Sequence, residues 1–195
     1  HANAANAIAR RGTDEQRHRL LPEMIDGRRI GAFCLTEPGV GSDATAITCR
    51  AAPETGGWTV SGDKAWVTNG VIADVMSVYV QTDPEAGWRG IANLLIEGDF
   101  TGLSRGEPYS MIGGHAAGLC DVHFDGCRVP ETNLLIPVGE GFKAAMAGIN
   151  MARMFVAAIC CGMLSDSLER ALTYGAERMA FGRPILANQG LQWEL

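Results

Sequence analysis

The sequence predicts an α+β fold in which an antiparallel β-sandwich or barrel-like middle domain is flanked by helical segments. Three observations carry that reading. Residues 1–30 are helically patterned, residues 31–137 hold short β-forming runs punctuated by Gly, Pro and Asp, and residues 138–195 return to a helical composition. No helix is predicted between the strands, which argues for an antiparallel arrangement rather than a wound α/β sheet.

His1–Ile8 is rich in alanine and reads as the end of a helix. Gly12-Thr13-Asp14 supplies an N-cap signal for a second helix over Glu15–Ile25, with Leu20, Leu21, Met24 and Ile25 as its apolar positions and Asp26-Gly27 as its stop. Gly31–Leu35 is an apolar strand that breaks at Thr36-Glu37-Pro38-Gly39. Trp58–Val60 and Lys64–Thr68 read as strands joined by a hairpin-type turn at Ser61-Gly62-Asp63. Val75–Thr82, Gly90–Glu97 and Leu119–Val129 complete the set, the last with Val122, Phe124 and Val129 toward the core. After Gly139-Glu140-Gly141 come a helix over Phe142–Ile149, an interruption near Asn150, and a long proline-free helix over Met151–Met179. Phe181-Gly182-Arg183-Pro184 ends it, and Gln189–Leu195 reads as the first turns of another helix.

Composition narrows the function classes. A chain of 195 residues with 47% hydrophobic and 19% charged residues is long enough to bury a core and has globular proportions. A net charge of −6 with no basic run argues against nucleic acid or an anionic membrane as partner, and leaves room for a phosphorylated small molecule held by local arginines. None of the cysteines (Cys34, Cys49, Cys120, Cys127, Cys160, Cys161) forms a CxxC, and the histidines offer no metal-ligand spacing. Cys160-Cys161 lie in an alanine-rich helical run and read as small buried hydrophobes, so the compartment is expected to be reducing and the protein cytoplasmic. No window approaches an uninterrupted transmembrane length, and no signal-peptide pattern opens the chain. The chain starts and stops mid-pattern, as an excerpt would.

Three stretches carry chemistry unusual for their position. Gly31–Asp43 (GAFCLTEPGVGSD) is a strand that opens into a Gly- and Ser-containing turn, leaving backbone N–H groups in need of an acceptor such as a flat electron-rich ring or a phosphate. An ordinary strand-to-loop transition has the same punctuation. Trp66-Val67-Thr68-Asn69-Gly70 ends a strand with an indole to stack on and a hydroxyl to hydrogen-bond, a pairing suited to a heteroaromatic ring; a plain Asn-Gly hairpin terminus is its bland counterpart. Arg178 precedes Phe181-Gly182-Arg183-Pro184 at a helix end, where a guanidinium serves either the helix dipole or a phosphate. Arg153 sits among Met151, Met154 and Phe155 as an exposed helical Arg or a phosphate contact. His115, in a Gly/Ala loop, and His123, on a strand, read as surface residues; no catalytic triad order, GxGxxG or phosphate-loop lysine is present.

Taken together, LTEPGVGSD (Leu35–Asp43), GDKAWVTNG (Gly62–Gly70), FDGCRVPETNLL (Phe124–Leu135), GEGFKAAM (Gly139–Met146) and ERMAFGRPI with Gln189 resemble, in order and spacing, the FAD-dependent acyl-CoA dehydrogenase family. The resemblance covers the whole chain and implies the end of an N-terminal helical domain over 1–30, a β-domain over 31–137 and the start of a C-terminal helical domain over 138–195. It implies FAD, with Phe33, Leu35, Thr36, Gly41 and Ser42 forming one wall of the flavin pocket and Trp66, Val67 and Thr68 flanking the ring, Thr68 near N5. Arg178, Phe181 and Gln189 match positions that hold the FAD pyrophosphate and adenosine across a subunit interface, which implies a homo-oligomer, dimer or tetramer. Ser42, Thr82, Asn150 and Arg153 match positions that contact the acyl-CoA substrate. The implied reaction is α,β-dehydrogenation of an acyl-CoA thioester, with electrons passed to electron-transfer flavoprotein or a similar acceptor.

The departures from the family pattern are specific. The position on the long helix where some members carry the catalytic carboxylate is Ala152, and the usual base position lies beyond Leu195, so no catalytic residue is assigned within the chain. Asn150 stands where Asp is common, and Gly113–Cys120 lacks the Arg and Ser/Thr often found there. Two alternatives stand beside the dehydrogenase: a relative of other chemistry, such as a desulfinase or flavin hydroxylase, and a truncated β-domain without bound flavin.

Overall fold

The computed structural model describes residues 1–195. They form two compact units, His1–Gly148 and Ile149–Leu195.

The first unit opens with α1 (Ala2–Arg11) and α2 (Asp14–Ile25). Thr13 caps α2 as its sequence suggests: its hydroxyl accepts from the Gln16 N–H at 3.1 Å, and the Gln16 side chain accepts from the Thr13 N–H at 3.0 Å. Gln16 is itself buried, and its amide donates to the carbonyls of Thr132 (2.8 Å) and Leu134 (3.1 Å), so one side chain closes the cap and ties the helix to residues 116 and 118 positions further on. Leu20 and Met24 are buried as expected, whereas Ile25 is exposed.

The strands are β1 (Gly31–Cys34), β2 (Arg50–Glu54), β3 (Gly57–Val67), β4 (Val75–Gln81), β5 (Ile91–Glu97), β6 (Leu103–Arg105), β7 (Cys120–Pro130) and β8 (Leu134–Ile136). They make one sheet in the order β6-β7-β3-β2-β4-β5-β8, with β1 beside β4. The pairings are antiparallel except β1 with β4 and the single contact of β2 with β4. Strand β4 is the hub: it pairs with β1, β2 and β5, and all seven of its residues are buried. Residues from β1, β2, β3, β4, β5 and β7 meet in a single core, including Ala51, Val60, Val78, Leu94, Val122 and Phe124, so the sheet wraps on itself in the barrel-like manner expected. Gly31 allows β1 to approach the helices: a Cβ there would lie 2.7 Å from Met24 Cε and 3.0 Å from Ala4 Cβ.

Several local expectations are corrected. Ser61-Gly62-Asp63 is not a hairpin turn. Strand β3 runs unbroken across it, paired to β7 on both sides, and the irregularity is a shift of register between Val60 and Gly62. Gly62 takes φ +134°, and a Cβ on it would lie 2.7 Å from Cys49 Cα. The long helix is not interrupted at Asn150: α3 runs from Gly141 to Glu177, because Gly148 and Asn150 cost helix propensity without removing a backbone donor. That single helix is long and apolar enough, by length and composition alone, to cross a membrane, contrary to the reading from uninterrupted runs. Cys160 and Cys161 are exposed on it rather than buried, because α3 is exposed over this whole stretch; all six cysteines are free thiols. In the second unit, α3 is followed by a two-stranded ribbon, β9 (Met179–Ala180) and β10 (Arg183–Pro184), and by α4 (Gln189–Glu194).

A charge pair is buried inside the β-core. Lys64, with no exposed surface, donates from Nζ to Glu37 Oε1 at 2.7 Å and to the Leu35 carbonyl at 3.1 Å. Glu37 also accepts from the Thr48 N–H and hydroxyl, both 2.7 Å, and from the Cys49 N–H at 3.0 Å. Burial works to raise the Glu37 pKa, but the Lys64 ammonium and these N–H groups outweigh it and hold it below its ordinary value of 4.5.

Two predictions follow from these buried groups. Lys64→Met leaves a buried carboxylate unpaired and should lower the urea-unfolding free energy by about 3–5 kcal/mol at neutral pH, with part of the loss recovered by adding Glu37→Gln; a loss under about 1 kcal/mol, the scale of an exposed pair, contradicts it. Because the folded pKa of Glu37 is depressed, its contribution is present above pH 4.5 and lost as pH falls through the folded value, so wild type should lose more stability on acidification below 4.5 than Glu37→Gln does. Separately, Gln16→Glu keeps the cap acceptor but removes the donor to the Thr132 and Leu134 carbonyls, and should cost about 1–3 kcal/mol in the same assay.

Candidate functional site

The Glu37–Lys64 pair positions two chain segments side by side. Glu37 and Val40 exchange backbone hydrogen bonds (3.0 and 3.1 Å), closing a tight turn over Pro38-Gly39. Next to it, the Ala65 N–H donates to the Thr36 carbonyl at 2.9 Å, which brings the exit of β1 against the end of β3. Leu35 is buried and Thr36 half-buried, while Gly41, Ser42 and Asp43 are exposed, with Asp43 accepting from the Thr45 N–H at 3.2 Å. Phe33 packs at 5.2 Å, ring centre to ring centre, against Tyr79 of β4.

At the end of β3 the register with β7 shifts again, between Lys64 and Val67. The residue thrown out by the shift is Trp66, whose φ is +57° and whose side chain is 56% exposed. A bulky residue in the left-handed region is strained, and such residues concentrate at functional sites. Val67 turns back into the core and Thr68 points out. Asn69, at φ +66°, donates from its backbone to the Ala117 carbonyl (2.7 Å) and from its side chain to the Gly31 carbonyl (3.1 Å), closing the site against β1. Arg105 holds the following loop through the Gly70 (2.9 Å) and Ala73 (2.8 Å) carbonyls.

Of the residues singled out in the sequence, the first unit therefore gathers Leu35, Thr36, Trp66, Val67 and Thr68 at one place where two strands end. Gly41 and Ser42 lie on the loop that continues from it, and the short turn Ala44–Ala46 on that loop touches the turn Pro84–Gly90 that follows Thr82. Thr82 donates its hydroxyl to the Gly90 carbonyl at 2.8 Å. His115 is exposed on the loop whose Ala117 carbonyl meets Asn69, and His123 is half-exposed and bonded to Asp63 at 2.7 Å. In the second unit, Asn150 and Arg153 are exposed on α3. Arg178 stands between α3 and the ribbon, its N–H on the Tyr174 carbonyl and its own carbonyl accepting from Ile185, both at 2.8 Å. Phe181 and Gly182 form the ribbon turn at φ +52° and +77°, with Phe181 fully exposed, and Gln189 opens α4.

Sequence reasoning missed three residues of this site. Lys64 falls at the start of the Lys64–Thr68 strand run with no signal of its own, yet it is the buried cation. Tyr109 stacks on Trp66, ring centres 4.1 Å apart and planes 27° apart, and its hydroxyl donates to Asp121. The Asp121 carboxylate holds the Tyr109 pKa above its ordinary value, with the Trp66 N–H acting the other way. Tyr109 lies in an aperiodic stretch and Asp121 on a strand's polar face, so neither carried a signal. The exposed indole, the left-handed backbone that presents it and two hydroxyl-bearing residues at the same strand ends, Thr36 and Thr68, fit a planar heteroaromatic group with a polar edge.

The chain matches the family models described as acyl-CoA dehydrogenase, middle domain, over residues 32–127 and acyl-CoA dehydrogenase, C-terminal domain, over residues 139–195. It is 36% identical over 193 residues to an isovaleryl-CoA dehydrogenase, mitochondrial, of Arabidopsis thaliana, covering 98% of this chain and 47% of that protein. It is 37% identical over 190 residues to an acyl-CoA dehydrogenase of Bacillus subtilis, covering 97% and 50%. Among solved structures, butyryl-CoA dehydrogenase from Megasphaera elsdenii superposes with a TM-score of 0.95 at 32% identity, covering 99% of this chain and 51% of that one. The chain spans about half the length of the relatives it matches. With both domain models in sequence order and the same fold at this identity, the chain belongs to the acyl-CoA dehydrogenase family.

Proposed function

We propose that this chain is the middle and beginning of the C-terminal part of an FAD-dependent enzyme that dehydrogenates an acyl-CoA thioester between Cα and Cβ. The observation that carries the reading is the Trp66–Thr68 corner, where an indole is presented on a strained backbone beside Thr36. FAD, when bound, supplies the two-electron acceptor for this chemistry. The chain's own residues would bind and orient it. Phe33, Leu35, Thr36, Gly41 and Ser42 form one wall, and Trp66, Val67 and Thr68 the other, with the two threonine hydroxyls available to the ring's polar edge. Arg178, Phe181 and Gln189 are assigned to the pyrophosphate and adenosine of a cofactor shared between subunits of a homo-oligomer. Ser42, Thr82, Asn150 and Arg153 are assigned to the CoA moiety, Arg153 by charge and Asn150 and Thr82 by hydrogen bonding.

Removal of the substrate α-proton needs a carboxylate, and Ala152 cannot take one. The base is assigned to residues outside these 195, and the chain alone is expected to lack turnover. Electron-transfer flavoprotein is proposed as acceptor; a solved neighbour at 37% identity and TM-score 0.95 comes from work on the electron transferring flavoprotein of Acidaminococcus fermentans. The three-part division into 1–30, 31–137 and 138–195 and a cytoplasmic location belong to the same proposal.

The test is made on a preparation of the longer protein that carries this chain. It should be yellow, and its flavin absorbance should bleach on addition of an acyl-CoA; a yellow protein that no acyl-CoA bleaches contradicts the dehydrogenase reading. Thr68→Ala should slow that bleaching about tenfold, the effect of one lost hydrogen bond of about 1.5 kcal/mol, and an unchanged rate removes Thr68 from the site.

A further inference from the structure

We propose that Tyr109, anchored by Asp121, is a positioning residue that fixes the plane of the Trp66 indole and reserves its opposite face for a planar ligand. The inference rests on the reading of Trp66 as a wall of the flavin site.

The geometry is a chain of constraints referred to one strand. Tyr109 is tied to the start of β7 through its backbone, its N–H donating to the Leu119 carbonyl at 2.8 Å. Its hydroxyl donates to Asp121, two residues along the same strand, and the Asp121 carbonyl in turn accepts from the Gly106 N–H at 2.9 Å. The phenol is thus held at both ends. Trp66 is referred to the same strand, because Val67 beside it pairs with Cys120. The two rings meet at 4.1 Å, near the close limit for stacked aromatics. Trp66 needs such a brace. Its left-handed backbone is displaced from the β3–β7 ladder by the register shift, and its side chain is more than half exposed, so the sheet alone does not restrict its χ angles. Tyr109 covers one face of the indole and leaves the other uncovered by it. Neither the phenol nor the Asp121 carboxylate is needed for the core, since Tyr109 is half-exposed and Asp121 is on the outer side of β7 between buried Cys120 and Val122.

The first test uses the chain without cofactor. The near-ultraviolet circular dichroism of Trp66 is isolated as the difference between wild type and Trp66→Phe. In a Tyr109→Leu background that difference should fall at least about threefold while the melting temperature stays within a few degrees. Tyr109→Phe and Asp121→Ala, which both cut the anchor but keep a ring or a tyrosine, should each lower it by a similar smaller amount and act non-additively together; Asp121→Asn, which keeps an acceptor, should restore it. An unchanged Trp66 signal in Tyr109→Leu overturns the proposal. The second test titrates FAD by its fluorescence. Tyr109→Leu should weaken binding about two- to twelvefold, the range of one aromatic stack, and should add nothing once Trp66 is leucine. If Trp66→Leu weakens FAD binding and Tyr109→Leu does not, the positioning role is wrong and the flavin reading stands. If the dichroism responds as expected and FAD binding ignores Trp66, the positioning role stands and the flavin reading fails.

Discussion

The interaction on which the rest of the first unit depends is the buried pair of Lys64 and Glu37. Taking an ammonium and a carboxylate out of water costs several kcal/mol for each ion, and mutual attraction alone recovers it only when the remaining hydrogen-bonding capacity is also filled. Here it is filled on both sides. Lys64 finds a carbonyl as well as the carboxylate, and Glu37 finds the N–H groups of Thr48 and Cys49. Three segments far apart in sequence, the exit of β1, the entry to β2 and the end of β3, are thereby held by one carboxylate. An aliphatic pair of the same volume would fill the space without specifying which turn of the chain lies against which. The ion pair specifies it, and the Thr36–Ala65 hydrogen bond beside it is the consequence that matters for the site.

Much of this fold is legible in the sequence because its two periods are clean. Val75–Gln81 and Ile91–Glu97 are mostly apolar runs, broken inside only by Ser77 and Asn93, which is what strands covered on both faces require, and the Thr13 cap with Gln16 three residues on is a local signal. The short strands Arg50–Glu54, Leu103–Arg105 and Leu134–Ile136 were not legible, because each gains its identity from a partner rather than from its own composition. Ser61-Gly62-Asp63 shows the reverse error. Its residues are those of a turn, but the backbone freedom of Gly62 is used to let Cys49 approach and to bulge a continuous strand. The cysteine pair in α3 was misread for a different reason: composition predicts that an alanine-rich apolar helix is covered, and nothing in these residues' own pattern says by what.

The site divides in the same way. Trp66, Thr68 and Thr36 stood out because an aromatic and a hydroxyl at a strand end are unusual, and the family's motifs cover them. The residues that make the corner rigid did not stand out. Lys64 carried no signal of its own, and Tyr109 and Arg105 act across 32 to 43 residues of chain and Asp121 across 12, through contacts that only the folded register creates. Ligand-facing chemistry is carried by residue type and is readable; support is carried by geometry and is not.

Backbone strain separates the indole's role from that of its surroundings. Two bulky aromatics, Trp66 and Phe181, adopt the left-handed conformation at φ +57° and +52°. At Phe181 the turn explains it: a two-residue connection between antiparallel strands takes positive φ at both positions, and Gly182 supplies the second. Trp66 is in no such turn. It lies where β3 slips register against β7, a place where a left-handed residue is ordinarily glycine. Glycine there would remove a strain of about 1–3 kcal/mol, and the neighbouring bonds of Ala65 and Asn69 do not involve the side chain at 66. The backbone could therefore close the same corner more cheaply without an indole, so it is the presentation of the indole, and not the path of the chain, that the strained conformation serves.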